Sequence, residues 1–546
     1  MTNKILTAKS GYLTEQTEYR PGLSVKNILD MTDLRVRSGC RGIGACGLCK
    51  IKIESKNVME PEKIEKLQLS EEELADNIRL ACMVKPTENM TITVISPAVK
   101  SMWKTVYEKE RHILYPLSSY QWPVTRVPSP SPLGAAVDLG TTNISVALFD
   151  LKNGKQLVTR LGPNPQARFG SDIITRLTAA CQSPDHLKSM QKEVTEAIGD
   201  GLADIAIREG IAIEQIVSLS LVGNTAMLAI LSGQNYAMLL EPKYWMQYVD
   251  CLPRETSELV AALRLCPDTN IRVNPPLAGF VGSDFVAGIV TTGLFIKEYP
   301  ALFIDFGTNS EIGLWDGNHF FVTSAAGGPA FEGSGISNGM PAEPGAIYSA
   351  KPGNSEKWEI KTVTNREPEG ICGSGLVDII SILLQNKILS QAGKLDPKVQ
   401  SGGKGDKFVL PIDSEKNISV TNKDIDRFQA AKAAIGTGVI VMCRESGIDI
   451  HKLKRVCVGG AFGQYLDIEN AQTVGLLPLT ASKKIEIYGN TAITGCADIL
   501  LSEDAFKQAK MINQKSEIIN LSACEDFEDL FLKNLWLRPM SDTCYE

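Results

Sequence analysis

Ala136-Val137-Asp138-Leu139-Gly140-Thr141-Thr142-Asn143 runs into Ile144-Ser145-Val146-Ala147-Leu148-Phe149-Asp150, and about 167 residues later Phe303-Ile304-Asp305-Phe306-Gly307-Thr308-Asn309 runs into Ser310-Glu311-Ile312-Gly313-Leu314-Trp315-Asp316. Each stretch reads as strand, tight turn, strand, ending in a turn acid. A repeat on that scale implies two similar halves of about 160 to 240 residues each. From Gly134 onward, strand and helix patterns alternate and glycine-rich turns follow several strands, an α/β arrangement.

The two turns carry the chemistry of phosphate binding. Neither is a Walker A loop, because no Gly-Lys-Ser/Thr follows. Gly140 and Gly307 open backbone amides toward phosphate oxygens, and Thr141, Thr142, Asn143, Thr308 and Asn309 add side-chain donors. Asp138 and Asp305 can each hold Mg2+ through water. Facing each other, two such turns would clamp a triphosphate. Val456-Cys457-Val458-Gly459-Gly460-Ala461-Phe462-Gly463 adds a third turn, where Gly459, Gly460 and Phe462 would let a nucleoside lie against the backbone. One D-x-G-T turn alone is an ordinary hairpin. Two copies at domain spacing, followed by V-G-G-A-F, form a much more specific pattern.

Working outward, residues 1–96 have a different character. Ile5–Ala8 and Tyr12–Thr14 suit a hairpin, Ser24–Leu29 a short capped helix, Lys50–Ile53 a half-buried strand and Met90–Val94 a closing strand. Ser70 followed by Glu71, Glu72 and Glu73 is a helix start with acids suited to the dipole. Within this region, Ser38-Gly39-Cys40-Arg41-Gly42-Ile43-Gly44-Ala45-Cys46-Gly47-Leu48-Cys49 has the spacing C-x5-C-x2-C, and Cys82 follows. Thiolates converging on two irons need such a loop, with its glycines free to wrap closely. A structural zinc site would pair its ligands as two short knuckles, whereas here three share one loop. The reading is a [2Fe–2S] cluster on Cys40, Cys46, Cys49 and Cys82. The loop is one residue longer than the plant-type C-x4-C-x2-C and resembles the adrenodoxin-like ferredoxins.

Between these regions, residues 97–133 mix Trp103, Tyr107, Tyr115, Tyr120 and Trp122 with charges and end in Pro128-Ser129-Pro130-Ser131-Pro132, as a stiff connector would. With 546 residues the chain is too long for one core. The net charge of −7 gives no reason to expect nucleic acid, no apolar run reaches membrane-span length, and Met1-Thr2-Asn3-Lys4 lacks a secretion signal. A cytoplasmic protein with neither membrane nor nucleic acid as partner is expected. Thirteen cysteines, an odd and scattered set, suit reduced thiols with a few metal ligands. The four histidines, at 112, 186, 319 and 451, form no spacing motif.

Over most of 134–546 the chain resembles the actin/Hsp70/sugar-kinase (ASKHA) superfamily. Asp138–Asn143 matches its first phosphate motif, Asp305–Asn309 its second and Val458–Gly463 its adenosine motif. The resemblance implies a multidomain protein: an α+β ferredoxin-like β-grasp domain at 1–96, a linker at 97–133, and a two-lobed α/β ATPase domain at 134–546, with lobe I about 134–300 and lobe II about 301–546. It also implies that the strand end Leu221-Val222-Gly223-Asn224 positions the attacking water, with Asn224 the polar group available and Asp284 and Glu332 as further candidates. Gly370–Gly375 offers the amides of Gly373 and Ser374 to a nucleotide, or else makes a tight entry into the buried helix Leu376–Leu384.

A cluster domain joined to an ATPase suggests an electron driven uphill. Plant-type clusters sit near about −400 mV, and each ~59 mV uphill costs a factor of ten for one electron. The whole chain resembles the reductive activators of corrinoid-dependent enzymes, including O-demethylase activating enzymes. The match covers the cysteine loop, both phosphate turns, Asn164-Pro165-Gln166 with Gly170-Ser171-Asp172, Gly327–Gly333, Gly370–Gly375 and Val458–Gly463. That family implies ATP, Mg2+ and a [2Fe–2S] cluster as cofactors. It implies a corrinoid protein of a methyltransferase system and an external low-potential donor as partners, and leaves a homodimer open. The short linker leaves no room for the added middle domain of longer members. The competing readings are an activator of a 2-hydroxyacyl-CoA dehydratase, a redox-sensing Hsp70-like scaffold and a small-molecule kinase with a structural cluster. The first expects a cluster bridging a dimer, where this chain has four cysteines of its own. The second lacks an evident substrate-binding module and the third a sugar-binding constellation.

Overall fold

A computed structural model describes residues 4–11, 13–19, 21–32, 34–37, 42–55, 60–97, 102–106, 114–118, 132–170, 172–307, 309–333, 335–352, 358–396, 409–413 and 418–540. The chain divides into two compact units. The first comprises residues 1–241, 250–275 and 499–504, and the second 242–249, 276–498 and 505–546.

The first unit opens with a five-stranded sheet in the order Leu13–Tyr19, Lys4–Ser10, Met90–Val94, Lys50–Ile53, Ile78–Leu80. Lys4–Ser10 runs antiparallel to its hairpin partner and parallel to Met90–Val94, the central pairing of a β-grasp. The hairpin is longer than the sequence suggests, because its polar outer residues continue the ladder. The helix Val25–Leu29 begins at Ser24, whose hydroxyl accepts from Asn27 N at 3.2 Å. Ile28 and Leu29 of that helix, with Ile51 and Ile92 of the sheet, form the buried core.

A six-stranded sheet follows in the order Asn270–Val273, Ile216–Gly223, Leu133–Leu139, Asn143–Asp150, Gln156–Pro163, Lys104–Val106. Part of the expected connector is thus an edge strand: Thr105 pairs antiparallel with Arg160. Trp103 explains the anchorage. A Cβ at Gly162 would lie 2.8 Å from its ring and one at Gly201 2.7 Å, so these two glycines vacate the slot that the indole fills. The run Pro128–Ser131 lies outside the described residues.

The helix Pro184–Glu209 and the strand Gln156–Pro163 meet the helix Val25–Leu29 and its following loop through buried charges. Lys26 Nζ lies 2.8 Å from Asp30 and 3.9 Å from Glu209. Arg208 pairs with Asp30. Arg160 reaches Asp204 at 2.9 Å and Glu209 at 2.8 Å, and Arg35 approaches Asp204 at 4.0 Å. Four cations share three carboxylates, and Arg35 is held down to about 10 by burial and by Arg208.

The second unit repeats the sheet. Its order is Ile485–Gly489, Arg455–Gly459, Ala301–Phe306, Ser310–Trp315, Phe320–Ala325, Ser516–Ile518. In both sheets a parallel pair of outer strands adjoins the first strand of a three-strand antiparallel meander, which establishes the internal repeat in three dimensions. The long apolar helix Asn422–Glu445 packs on the meander. A Cβ at Gly438 would lie 2.6 Å from Ile312, so that glycine serves close helix–sheet contact. Among the described residues no helix is long and apolar enough to cross a membrane.

Candidate functional site

In the first unit, Asp138 stands half-buried near the end of Leu133–Leu139 and Gly140 starts the turn. Gly140 N donates to Asn143 O at 3.0 Å, and a Cβ there would sit 2.7 Å from that oxygen, so the turn requires glycine. Thr141, Thr142 and Asn143 remain partly or fully exposed. Neighbouring elements hold the turn. Asn164 Nδ2 donates to Gly140 O at 2.9 Å, Asn164 N to Thr142 O at 2.8 Å, and Arg176 Nη1 to Thr141 O at 2.6 Å.

Asn224 caps the helix Thr225–Ser232: its Oδ1 accepts from Met227 N at 3.0 Å. Its Nδ2 donates to Thr141 Oγ1 at 2.9 Å. An amide so engaged orients a hydroxyl and cannot act as a strong base. Asn164 lies in the Asn164-Pro165-Gln166 stretch of the family match, without a role assigned from the sequence, and Arg176 was not singled out. Arg176 had one detectable signal, a charge between the apolar residues Ile173, Ile174 and Leu177 of a helical run.

In the second unit, Asp305 occupies the same sheet position as Asp138, but its antiparallel neighbour differs. Asp138 faces Ser145, whereas Asp305 faces Glu311. Burial raises Asp305 to about 7, with Asp284 adding to the effect, and raises Asp284 to about 6. Glu311 is pushed well up by burial and by both neighbours. All three keep partial solvent contact. Thr491 Oγ1 lies 3.4 Å from Asp305 Oδ2.

The glycines around this carboxylate are close-fitted. A Cβ at Gly459 would come within 2.9 Å of Asp305 Oδ1, and Gly460, at φ +89°, would place one 2.3 Å from Phe306 O. Glu332 approaches the second turn, with Oε1 3.8 Å from a Cβ built on Gly307. Asn309 precedes the strand Ser310–Trp315, and Thr308 lies outside the described residues. Phe462 is 6% exposed and packs against Phe306 and Phe331, each at 5.0 Å between ring centroids. It supports the turn from beneath. Gly373 and Ser374 are buried in the first turn of the helix Gly373–Gln385, where a Cβ at Gly373 would strike Phe331 O at 2.2 Å.

The cysteine loop lies on the first unit. Gly42, Gly44 and Gly47 adopt φ of +80°, +81° and +65°, the wrapping the sequence anticipates. Cys49 Sγ and Cys82 Sγ are 3.4 Å apart. The Cys82 contact and backbone donors hold the Cys49 thiol down to about 7, against the opposing effect of burial. Cys46 is half-buried nearby in sequence, and Cys40 lies outside the described residues. A low-pKa Cys49 thiol on a glycine-wrapped loop, paired with Cys82 from beyond the strand Ile78–Leu80, fits an iron–sulfur cluster. Among the described residues no three His, Cys, Asp or Glu side chains are arranged to hold a metal directly.

Residues 11–87 match the family described as the 2Fe-2S iron-sulfur cluster binding domain. Residues 133–297 match the RACo middle region, and 299–546 match the C-terminal domain of RACo, the ASKHA domain. The middle-region match corrects the expectation that the chain lacks a middle domain: that region is present as the segment read as lobe I. A cluster-binding β-grasp domain and an ASKHA domain in one chain define an iron–sulfur, nucleotide-binding protein.

The corrinoid activation enzyme RamQ of Eubacterium limosum is 30% identical over 417 residues, 73% of this chain and 70% of RamQ. The [Co(II) methylated amine-specific corrinoid protein] reductase of Methanosarcina barkeri is 27% identical over 451 residues, 76% of this chain and 79% of the reductase. The solved structure of a reductive activator for corrinoid, iron-sulfur protein aligns over 99% of both chains at 26% identity, with a TM-score of 0.66. The chain belongs to the family of reductive activators of corrinoid-dependent enzymes.

Proposed function

We propose that this protein uses ATP to return a corrinoid protein from Co(II) to Co(I), making it competent again for methyl transfer. The observation that supports this most is the union, in one chain, of the paired Cys49 and Cys82 thiols with two matched phosphate turns at Asp138 and Asp305. The corrinoid substrate follows from the relatives named above.

Cys40, Cys46, Cys49 and Cys82 would hold a [2Fe–2S] cluster, which supplies a one-electron store. When held, it would supply the electron that takes Co(II) to Co(I), replenished by an external low-potential donor. The Gly140–Asn143 turn binds phosphate through its amides and hydroxyls, with Asn224 orienting Thr141. Each turn's aspartate, Asp138 or Asp305, would serve as a Mg2+ ligand, and the mutual repulsion of Asp284, Asp305 and Glu311 would favour a divalent cation beside Asp305. ATP can shift the reduction only by binding differently to two states of the complex. We divide the chain as 1–96 for the cluster domain, 97–133 for the connection and 134–546 for the ATPase domain.

The test mixes the reduced protein with a Co(II) corrinoid protein and follows Co(I) absorbance with and without Mg–ATP. ATP-dependent Co(I) is expected. Its absence overturns the reading.

A further inference from the structure

The first unit buries two large arginines completely, and they are treated differently. Arg160, 0% exposed, is paired with Asp204 and Glu209. Arg176, 1% exposed, has no carboxylate within ion-pair distance among the described residues. Its Nη1 donates to Thr141 O at 2.6 Å and its Nε to Gly170 O at 2.8 Å, while Met227 Sδ lies 3.5 Å from Nη1. The acid whose field it feels is Asp172, and that carboxylate is engaged as a helix cap, accepting from Thr175 N at 2.9 Å. Burial accordingly pulls Arg176 down to about 10.

A buried guanidinium beside a thioether and two neutral carbonyls is poorly compensated. Carbonyl dipoles satisfy its donors but do not neutralise its charge. One direction leads out of this environment: through Thr141 to the open side of the Gly140–Asn143 turn, where Thr142 and Asn143 are exposed. An anion seated on those amides would be the missing counter-charge.

We propose that Arg176 is the buried counter-charge of the first phosphate turn, fixing Thr141 by its carbonyl and supplying positive potential that a bound polyphosphate offsets. Arg176 is thus a positioning residue, acting through Thr141 and not by direct contact. The inference rests on the ATP reading above and adds to it the class of group being selected. The residue discriminates for the phosphate chain and is indifferent to the nucleoside. The division of labour is visible in the side chains. Asn164 and Asn224 also grip the turn, but as neutral amides they set its shape without adding charge.

The test compares Arg176→Lys with Arg176→Gln in the full-length, cluster-loaded protein. Lysine keeps the charge; glutamine keeps a donor for Thr141 O and loses the charge. Binding of Mg–ATP, inorganic tripolyphosphate and adenosine is measured by calorimetry, with thermal melting and the visible cluster spectrum as checks on folding. The lysine variant is expected to hold tripolyphosphate within about threefold of the parent, and the glutamine variant to lose about tenfold or more, with adenosine unchanged in both. Equal tripolyphosphate affinity in the two variants, whether retained or lost together, overturns the proposal. So does a parallel loss of adenosine. A parent protein that binds neither ATP nor tripolyphosphate overturns the ATP reading itself, and this proposal with it. Should the glutamine variant fail to fold, Arg176→Met, which loses the donor as well as the charge, is compared with Arg176→Lys: loss of tripolyphosphate alone in the methionine variant is expected, and equal tripolyphosphate affinity in the two or a parallel loss of adenosine overturns the proposal.

Discussion

Asn224 and Thr141 are joined side chain to side chain, Nδ2 to Oγ1 at 2.9 Å, while the other end of the same amide caps a helix at Met227 N. One residue thereby fixes both the start of the helix Thr225–Ser232 and the hydroxyl of the phosphate turn. Asn224→Ala should lose about 1 kcal/mol of stability from the missing cap. It should lower ATP hydrolysis by about ten- to a hundredfold through misplacement of the turn. Asn224→Ser, which can still cap, should recover the stability and not the hydrolysis. Chemical unfolding and phosphate release separate the two effects.

Asp305→Ala should abolish ATP-dependent Co(I) formation while leaving the visible spectrum of the cluster intact, because Asp305 and the cysteine loop lie in different units. Loss of the cluster spectrum in this variant would contradict that separation.

The raised carboxyls carry a pH signature in the metal-free protein. Asp305 and Asp284 titrate at about 7 and about 6 when folded, against an unfolded value of about 3.9. The folded state therefore binds more protons between those limits, and stability falls as pH rises. Their contribution is complete below about pH 4 and is lost as pH climbs through about 6 to 7. Melting temperature should decline across that window, and Asp305→Asn should flatten the decline. Mg–ATP should reverse it if a divalent cation occupies the carboxylates.

The buried charge seam separates two kinds of ion pair. Asp30 serves Lys26 at 2.8 Å and also Arg208, all three being buried. Asp30→Asn should cost about 3–5 kcal/mol because it removes the near carboxylate of two buried cations, leaving Lys26 only Glu209 at 3.9 Å and Arg208 only Asp204 at 3.8 Å. Lys9, 44% exposed in its pair with Glu54, should tolerate alanine with a change of about 0.5 kcal/mol or less. Denaturant unfolding measures both, and limited proteolysis should cut the Asp30 variant faster.

Local and periodic features were legible in the sequence. The repeated turns predicted the twin sheets because each strand–turn–strand unit is short-range and must bury the same apolar face. Ser24 and Ser70 both proved to be helix N-caps, since capping depends on residues three apart. What escaped notice depends on distant partners. Arg176 reaches Thr141 across 35 positions, and Glu311 becomes an electrostatic neighbour of Asp284 only once the helix Ser283–Thr292 is packed. Trp103 read as a connector aromatic because nothing local links it to Gly162 and Gly201, whose missing side chains it fills. Phe462 sits in an aromatic core that a turn motif alone does not disclose.

The edge strand Lys104–Val106 sets a leash. Just beyond the closing strand Met90–Val94, Pro97 is bridged to Val36, and seven positions of chain separate it from Lys104; fully extended they reach about 25 Å at most. A cluster domain freed from its charged seam would still wander only within that radius, at a local concentration in the millimolar range for so short a tether. Electron delivery would then be a matter of orientation more than of encounter, and its rate would be independent of how dilute the protein is once its acceptor is bound.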